Sequence, residues 1–173
     1  MVVKNPPTPP THRNKKAPNC KTNPNAKKKE VWRMFTGEYE HSVDTKNRIF
    51  VPVRFREELG ETFVVARDIR KHILKVCSLE EWEKYLAPIK NQERKIAEEA
   101  LRYLHRNASQ VSPDSQGRIL LPTALLDYAE IKKEAIFVGC SDYCEIWSAE
   151  KYEAEIASED PEDIREKLER LGL

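Results

Sequence analysis

The sequence predicts an α+β fold built from two copies of one β-rich unit. Ser42–Pro52 matches Ser112–Pro122 at an offset of 70 residues, with Ser, Asp, Arg, Ile and Pro identical. Further along, Phe63–Ala66 is matched by Ile136–Gly139 at an offset of 73. Since the copies differ in length only in their connections, they are diverged tandem repeats of one unit.

Each copy is predicted to contain a strand, a tight turn, a strand, a short helix and a β-hairpin. The predicted strands are Glu38–Val43, Arg48–Val51, Thr62–Ala66, Ile73–Cys77, Ser109–Ser112, Arg118–Leu121, Ala135–Gly139 and Cys144–Trp147. Pro52 and Pro122 close the second strand of each copy, and proline suits the first turn of a helix. Short helices are therefore predicted over Val53–Leu59 and Thr123–Ala129.

Longer helices are predicted after each copy. Ser78-Leu79-Glu80-Glu81 is a capping box, and Pro88 lies near the end of the helix that it starts. The predicted buried face of that helix is Leu79, Trp82, Leu86 and Ile89. The next helix is predicted from about Gln92 to Arg106, with its inward face formed by Ile96, Ala100, Leu101 and Leu104. Ser148 caps a comparable helix, and Asp160-Pro161 caps a last one that ends at Gly172.

The repeats are expected to form one domain. Without its helices a copy has about 40–45 residues, too few to bury a stable core alone. We expect repeat one at 34–83, a helical linker at 84–107, repeat two at 108–157 and a C-terminal helix at 158–173.

The formal net charge of +1 is the sum of three unlike segments. Residues 1–29 carry eight bases, no acid and six of the eleven prolines, so residues 1–33 are predicted to be a disordered basic tail. Two interpretations of this tail stay open. Either the start codon is assigned too far upstream and the protein begins at Met34, or the tail is a basic arm that binds nucleic acid or another polyanion. Residues 30–149 carry a net −2, and residues 150–173 a net −5.

Several classes of protein are not expected. No apolar run approaches the ~20 residues of a membrane span, and no secretory signal is recognisable. The four cysteines form no CxxC pair and have no ligand set at zinc spacing, so we expect buried or half-buried thiols in a reducing cytoplasm and no metal. There is no glycine-rich phosphate loop, and His41, His72 and His105 have no nucleophile at a recognisable spacing. We expect no catalysis, cofactor or small-molecule substrate.

The unit D-x-x-x-R-I-x-x-P occurs once in each copy. Asp44 and Asp114 begin turns, where Asp accepts hydrogen bonds from the backbone two residues on. Asn47 and Gly117 occupy the same repeat position, and both tolerate positive φ. Turn geometry therefore explains the Asp and the Asn or Gly, but not the Arg.

Two interpretations of Arg48 and Arg118 stay open. Each Arg could form an ion pair with the Asp of its own copy or of the other copy and so hold the two repeats together. Alternatively, the loop presents Arg to an anionic partner, because the planar guanidinium suits both phosphate and the O6/N7 edge of guanine. The first copy favours the second interpretation, because Thr45–Arg56 holds four bases and no acid: Lys46, Arg48, Arg54 and Arg56. Ser115–Leu126 holds only Arg118, so we expect unequal contributions from the two loops.

These motifs closely resemble the MraZ family, over about four fifths of the chain from Met34. The opening Met34–Tyr39, the paired turns, the paired prolines and Ile146-Trp147 carry the resemblance. It implies two AbrB-like swapped-hairpin repeats forming a β-barrel core. It also implies a cytoplasmic, nucleoid-associated transcriptional regulator of the bacterial division and cell-wall gene cluster. It further implies ring-like homo-oligomers that bind short G-rich direct repeats in promoter DNA.

By the same resemblance, Arg48 and Arg118 contact double-stranded DNA, while Asp44 and Asp114 position them. Lys46, Asn47 and Gln116 lie between them on the turns and are further DNA-binding candidates, and Gly117 helps to position the second loop. Arg54 and Arg56 are added to the candidates from charge alone, and the tail inherits no function.

A protein-interaction module is the alternative of a different class. AbrB-like folds also serve antitoxins, and the acidic segment 150–173 would then bind a toxin partner. The simpler interpretation of that segment is a solvated amphipathic helix, which we favour.

Overall fold

The predicted α+β class is confirmed by a computed structural model, which describes residues 34–173. Its strands are β1 Glu38–Ser42, β2 Arg48–Phe50, β3 Phe63–Arg67, β4 Leu74–Ser78, β5 Ala108–Val111, β6 Arg118–Leu120, β7 Glu134–Cys140 and β8 Tyr143–Ser148. Its helices are α1 Val53–Leu59, α2 Leu79–Lys90, α3 Arg94–Arg106, α4 Thr123–Ala129, α5 Ala149–Ser158 and α6 Pro161–Arg170. The predictions made for the tail at 1–33 and for Cys20 lie outside the described residues.

The two repeats exchange strands. A six-stranded antiparallel sheet has the order β1-β7-β8-β4-β3-β5, and β2 pairs with β6 in a separate two-stranded ribbon. Strand β1 of the first repeat pairs with β7 of the second, with Glu38 opposite Val138. Conversely, β5 of the second repeat pairs with β3 of the first, with Val111 opposite Phe63. This reciprocal pairing is the strand exchange that the resemblance implied.

An approximate twofold axis relates the repeats. Ile49 lies opposite Ile119 in the β2/β6 ribbon, and Lys75 lies opposite Glu145 where β4 pairs with β8. The members of each pair are 70 residues apart, the offset of the duplication. The axis therefore passes between these pairs, through both sheets.

Both repeats contribute to one main core. Ile49, Ile119 and Phe137 are fully buried in it, together with the apolar faces of α1 and α4. A second, smaller cluster lies where α2 and α3 cover β3 and β4, around Trp82 and Leu86. The thiol prediction is confirmed for the described cysteines, because Cys77 and Cys144 are buried and Cys140 is half-buried.

Prolines fix the start of the short helices. Pro52 and Pro122 occupy the positions immediately before α1 and α4, with φ of −50° and −55°. Both helices have the bounds predicted from the sequence.

Side chains cap α2, α5 and α6 as predicted. Ser78 Oγ accepts the Glu81 N–H at 3.2 Å, and Ser148 Oγ accepts the Lys151 N–H at 3.3 Å. At the start of α6, an Asp160 carboxylate oxygen accepts the Glu162 N–H at 3.0 Å.

Two predicted core positions are wrong. Leu79 is exposed, because side chains tilt toward the helix N-terminus and this first residue of α2 has no preceding turn to pack on. Ile96 is exposed and its neighbour Ala97 is buried. Adjacent helical residues point about 100° apart, so the inward face of α3 runs through Ala97 and Leu104, seven residues apart.

The predicted start of α3 shifts by two residues, because this helix begins at Arg94 rather than Gln92. Helix α2 continues past Pro88 to Lys90, one residue beyond the Ile89 of its predicted face. Pro88 lacks one N–H but does not end the last turn. Within residues 34–173, no helix is both long enough and apolar enough to cross a membrane.

Candidate nucleic-acid interface

The aspartate of the first D-x-x-x-R unit holds its turn together. Asp44 Oδ1 accepts the backbone N–H of Lys46 at 2.8 Å and that of Arg48 at 2.9 Å. The Asp44 carbonyl accepts the Asn47 N–H at 3.0 Å, and Asn47 has a φ of +59°. Asn tolerates this left-handed conformation better than most residues, which explains its place in the motif.

The second unit repeats this geometry. Asp114 Oδ1 accepts the backbone N–H of Gln116 at 2.9 Å and that of Arg118 at 3.0 Å. Gly117 takes the left-handed position with a φ of +82°. The turn chemistry expected from the sequence is therefore confirmed in both copies.

Each arginine pairs with the aspartate of its own copy. Arg48 Nε and Nη2 lie 2.7 and 2.6 Å from Asp44 Oδ2. Arg118 Nε and Nη2 lie 2.9 and 2.8 Å from Asp114 Oδ2. These ion pairs orient the arginine side chains within each turn and do not link one repeat to the other.

Backbone hydrogen bonds join the two turns to the opposite repeat instead. The Val51 N–H donates to the Gly117 carbonyl at 3.1 Å, and the Leu121 N–H donates to the Asn47 carbonyl at 2.9 Å. Each turn is thus anchored by the residue that follows the second strand of the other copy.

The arginines lower the pKa of both aspartates. The side-chain hydrogen bond from Arg48 is the largest cause for Asp44, and the backbone N–H of Arg48 adds to it, giving a pKa of about 2. Arg118 lowers the pKa of Asp114 to about 2 in the same way. Both carboxylates are therefore ionised at neutral pH, and each turn carries a fixed ion pair.

Each guanidinium keeps a free edge for another partner. Arg carries five N–H donors in a planar fork, and Asp engages one at Nε and one at Nη2. Among residues 34–173, nothing hydrogen-bonds to Nη1 of Arg48 or Arg118. The Nη1/Nη2 edge, which matches two adjacent acceptors such as guanine O6 and N7, stays available. The side chains are 31% and 20% exposed respectively.

The two arginines lie on one face of the β2/β6 ribbon. Arg48 is opposite Leu120 and Phe50 is opposite Arg118, while the Ile49–Ile119 pair points into the core. The arginines are displaced by two residues, about 7 Å along neighbouring strands. The ribbon therefore presents two oriented cations within a short distance.

The other candidate residues take three different positions. Lys46 and Gln116 are exposed at the tips of the turns. Asn47 Nδ2 donates to Thr123 Oγ1 at 3.0 Å, across the repeat boundary. Arg54 is exposed on α1, whereas the half-buried Arg56 packs against Gly117 of the other repeat. The four bases of the first copy therefore lie in different surroundings: one at the tip of a turn, one on the ribbon, one on the surface of α1 and one against the other repeat.

Two apolar residues of this face were not among the predicted site residues. Phe50 is 45% and Leu120 is 61% exposed, and each follows its arginine by two residues. The signal that could have identified them is that they occupy the same position in the two repeats, 70 residues apart.

The rest of the described region supplies few chemically reactive groups. Burial is the main cause that raises the pKa of the Cys77 thiol to about 11, and burial also raises the pKa of Cys144. Across residues 34–173, no three His, Cys, Asp or Glu side chains are placed to hold a metal ion.

The chain belongs to the MraZ family. The family model described as "MraZ protein, putative antitoxin-like" matches it twice in tandem, over residues 34–103 and 104–173. These two matches independently confirm the duplication.

Relatives carry one shared name. The chain is 41% identical to "Transcriptional regulator MraZ" of Clostridium tetani and 43% identical to that of Clostridium acetobutylicum. It is 40% identical to the protein of the same name from a Thermoanaerobacter species. Each similarity covers 81% of this chain and the whole length of the relative.

Proposed function

We propose that the chain is a sequence-specific DNA-binding transcriptional regulator that binds G-rich promoter boxes through its two D-x-x-x-R turns. The observation that carries this proposal is the pair of Asp-oriented arginines on the outer face of the β2/β6 ribbon. The name shared by the relatives supports regulation of transcription. We assign the chain no catalytic role.

The ribbon suits the major groove in shape and chemistry. A B-DNA major groove about 12 Å wide admits a two-stranded β-ribbon, and arginine to guanine O6/N7 is the commonest specific contact there. In this arrangement Arg48 and Arg118 each contact a guanine, and the aspartates fix the angle of approach. Lys46 and Arg54 lie outside the ribbon, where the phosphate backbone is the available partner. Asn47 and Gln116 are further candidates for DNA contact, and Gly117 shapes the turn that carries Arg118.

A single copy of the chain is expected to bind weakly. Residues 30–173 carry a net charge of −7, so only the local positive charge of the turns favours DNA. Linking identical weak sites raises the apparent affinity when the operator repeats at matching spacing. We therefore propose that residues 34–173 act as one domain and assemble into a ring-like homo-oligomer on repeated boxes. The promoter of the division and cell-wall genes is the proposed target, in the nucleoid of the cytoplasm.

Removal of the two arginines tests the proposal. The probe is duplex DNA from the promoter of the division and cell-wall genes. Arg48→Ala with Arg118→Ala removes two bidentate contacts of about 1–3 kcal/mol each, so a gel shift seen with the wild type should disappear. Arg94→Ala, at a 92%-exposed arginine on α3, is the matched control and should bind like the wild type.

Light scattering on the same samples separates binding from assembly. The double variant should keep the mass of the wild-type assembly and its circular dichroism spectrum. Wild-type affinity in the double variant would overturn the proposed roles of the arginines. A wild-type protein that stays monomeric at its DNA-binding concentration would overturn the proposed assembly.

A protein-interaction module is the second candidate, favoured by one feature of the C-terminal segment. Helix α6 buries no residue and exposes Ile164 and Leu168, and the family description includes the words "antitoxin-like". This candidate predicts a stoichiometric second protein that co-purifies with the wild type but not with Ile164→Ser/Leu168→Ser. It also predicts no shift of promoter DNA.

A further inference from the structure

The outer face of the β2/β6 ribbon alternates cationic and apolar side chains. Because residues directly opposite on paired strands share a face, the register places Arg48 beside Leu120 and Phe50 beside Arg118. The Arg118 Cζ lies 5.8 Å from the centroid of the Phe50 ring. The exposed face thus holds two arginine–apolar couples related by the approximate twofold axis.

Phe50 and Leu120 are exposed although they lie in strands. Other large exposed apolar side chains occur on helices and outside regular elements, but within residues 34–173 these are the two that lie in strands. They occupy the same position in the two repeats. The other two apolar side chains of the ribbon, those of Ile49 and Ile119, are buried. Phe50 and Leu120 remain exposed to water.

The ribbon face is too small to be a protein interface by itself. Its strands have three residues each, so the outer face consists of four side chains. A stable protein–protein contact involves about 20–30 residues on each side. A groove of DNA is different, because one or two side chains there contact one base pair. Both couples also contain a guanidinium, which favours an anionic partner.

We propose that Phe50 and Leu120 contact the 5-methyl groups of thymines next to the guanines read by Arg118 and Arg48. This inference rests on the proposed DNA binding and adds a second base to each contact. Thymine carries the apolar group that the major groove displays, and apolar side chains recognise it there. The distance between neighbouring side chains across the ribbon, about 5 Å, is about one and a half times the 3.4 Å rise between base pairs, so the two side chains of a couple can reach adjacent base pairs.

Uracil substitution in the DNA isolates the methyl group. The probe is a duplex selected by the full-length wild-type protein from a random-sequence pool, prepared with thymine and, separately, with every thymine replaced by uracil. Uracil keeps the hydrogen bonds of the base and lacks only the methyl. For the wild type we expect the apparent Kd to rise about fourfold for each methyl group that uracil removes from the interface. The variants Phe50→Leu and Leu120→Ala are then titrated on both duplexes.

The variants should separate the two apolar residues from the rest of the interface. Leu120→Ala is expected to weaken binding to thymine DNA. It should also abolish about half of the difference in binding free energy between the thymine and uracil duplexes that the wild type shows. Phe50→Leu keeps an apolar side chain and should retain the discrimination. Ile96→Ala, at an exposed apolar residue on α3, is the matched control and should behave like the wild type.

The outcomes distinguish this inference from the proposed function. Equal wild-type affinity for thymine and uracil duplexes, or a selected sequence without thymine beside guanine, overturns the methyl contact and leaves DNA binding intact. Failure of the wild type to select any sequence overturns the proposed function itself. If Leu120→Ala leaves the discrimination unchanged but lowers the assembly mass in light scattering, the face belongs to a subunit contact and the inference is wrong.

Discussion

The guanidinium of Arg56, on helix α1 of the first repeat, packs against Gly117 in the D-x-x-x-R turn of the second. A Cβ at position 117 would stand 2.2 Å from Arg56 Nη1 and 2.5 Å from Cζ. The Arg56 Nε is buried without a hydrogen-bond partner among residues 34–173. Arg56 therefore supports the turn that carries Arg118, and the absence of a side chain at Gly117 makes room for it.

Gly117→Ala should destabilise the fold for two reasons. The residue has a φ of +82°, which costs an L-residue about 1–2 kcal/mol, and the new methyl displaces Arg56. The Arg56→Ala background is the matched control, because it keeps the φ of +82° at position 117 and removes the side chain that the new methyl would meet. Urea unfolding should show a larger loss of unfolding free energy for Gly117→Ala in the wild type than in Arg56→Ala.

Removal of Arg56 should leave only the backbone part of this cost. In an Arg56→Ala background the contact is gone, so Gly117→Ala should cost only the about 1–2 kcal/mol of the positive φ. Equal costs of Gly117→Ala in the two backgrounds would show that the packing of Arg56 on the turn contributes no energy.

The two aspartates should titrate far below their usual range. Arg48 and Arg118 lower the pKa of Asp44 and Asp114 to about 2, from an ordinary value of 3.8. Because the folded pKa is the lower one, the ion pairs contribute stability above about pH 4, and that stability disappears as the pH falls through 2. Carboxyl ¹³C shifts measured by NMR from pH 5 downward give the midpoints directly.

One arginine variant tests the cause of the shift within the same molecule. Arg48→Ala should raise the midpoint of Asp44 toward 3.8 and leave that of Asp114 at about 2. A wild-type Asp44 midpoint near 4 would mean that the ion pair does not form in solution.

The serine caps should contribute equally in both repeats. Ser78 and Ser148 are buried at equivalent positions and each accepts a backbone N–H of the helix that follows. Ser78→Ala and Ser148→Ala should each lower the unfolding free energy by about 1 kcal/mol. Ser158→Ala, which removes an exposed hydroxyl near the end of α5, should change it by less than ~0.5 kcal/mol. A cost confined to one repeat would contradict equivalence of the two caps.

Local features of the fold could be predicted from the sequence. The starts of α1 and α4 follow from Pro52 and Pro122, because proline restricts the backbone where a helix starts. The turns follow from the short-range hydrogen bonds of Asp44 and Asp114. In each case the deciding interaction spans only a few residues.

Interactions between distant residues could not be predicted from periodicity or charge. The exchange of β1 and β5 between repeats was expected only from the family resemblance, since nothing local distinguishes it from pairing within a repeat. Arg56 counted as a surface base in the sequence, but its packing depends on Gly117, 61 positions away. Ile96 and Ala97 both fit an apolar face, and only packing against the sheet decides between them.

The two turns should differ in their contribution to the salt dependence of DNA binding. Lys46 is exposed at the tip of the first turn, and Gln116 occupies the same position in the second. Each phosphate contact contributes about −0.9 to the slope of log K against log salt concentration. For each chain bound to the DNA, Lys46→Gln should make the slope shallower by about 0.9, and Gln116→Lys should make it steeper by about the same amount.

The control is Lys95→Gln, at an exposed residue of α3, which should leave the slope of a fluorescence-anisotropy titration unchanged. If Lys46→Gln and Lys95→Gln give the same slope as the wild type, Lys46 does not contact phosphate and the first turn binds through Arg48 alone.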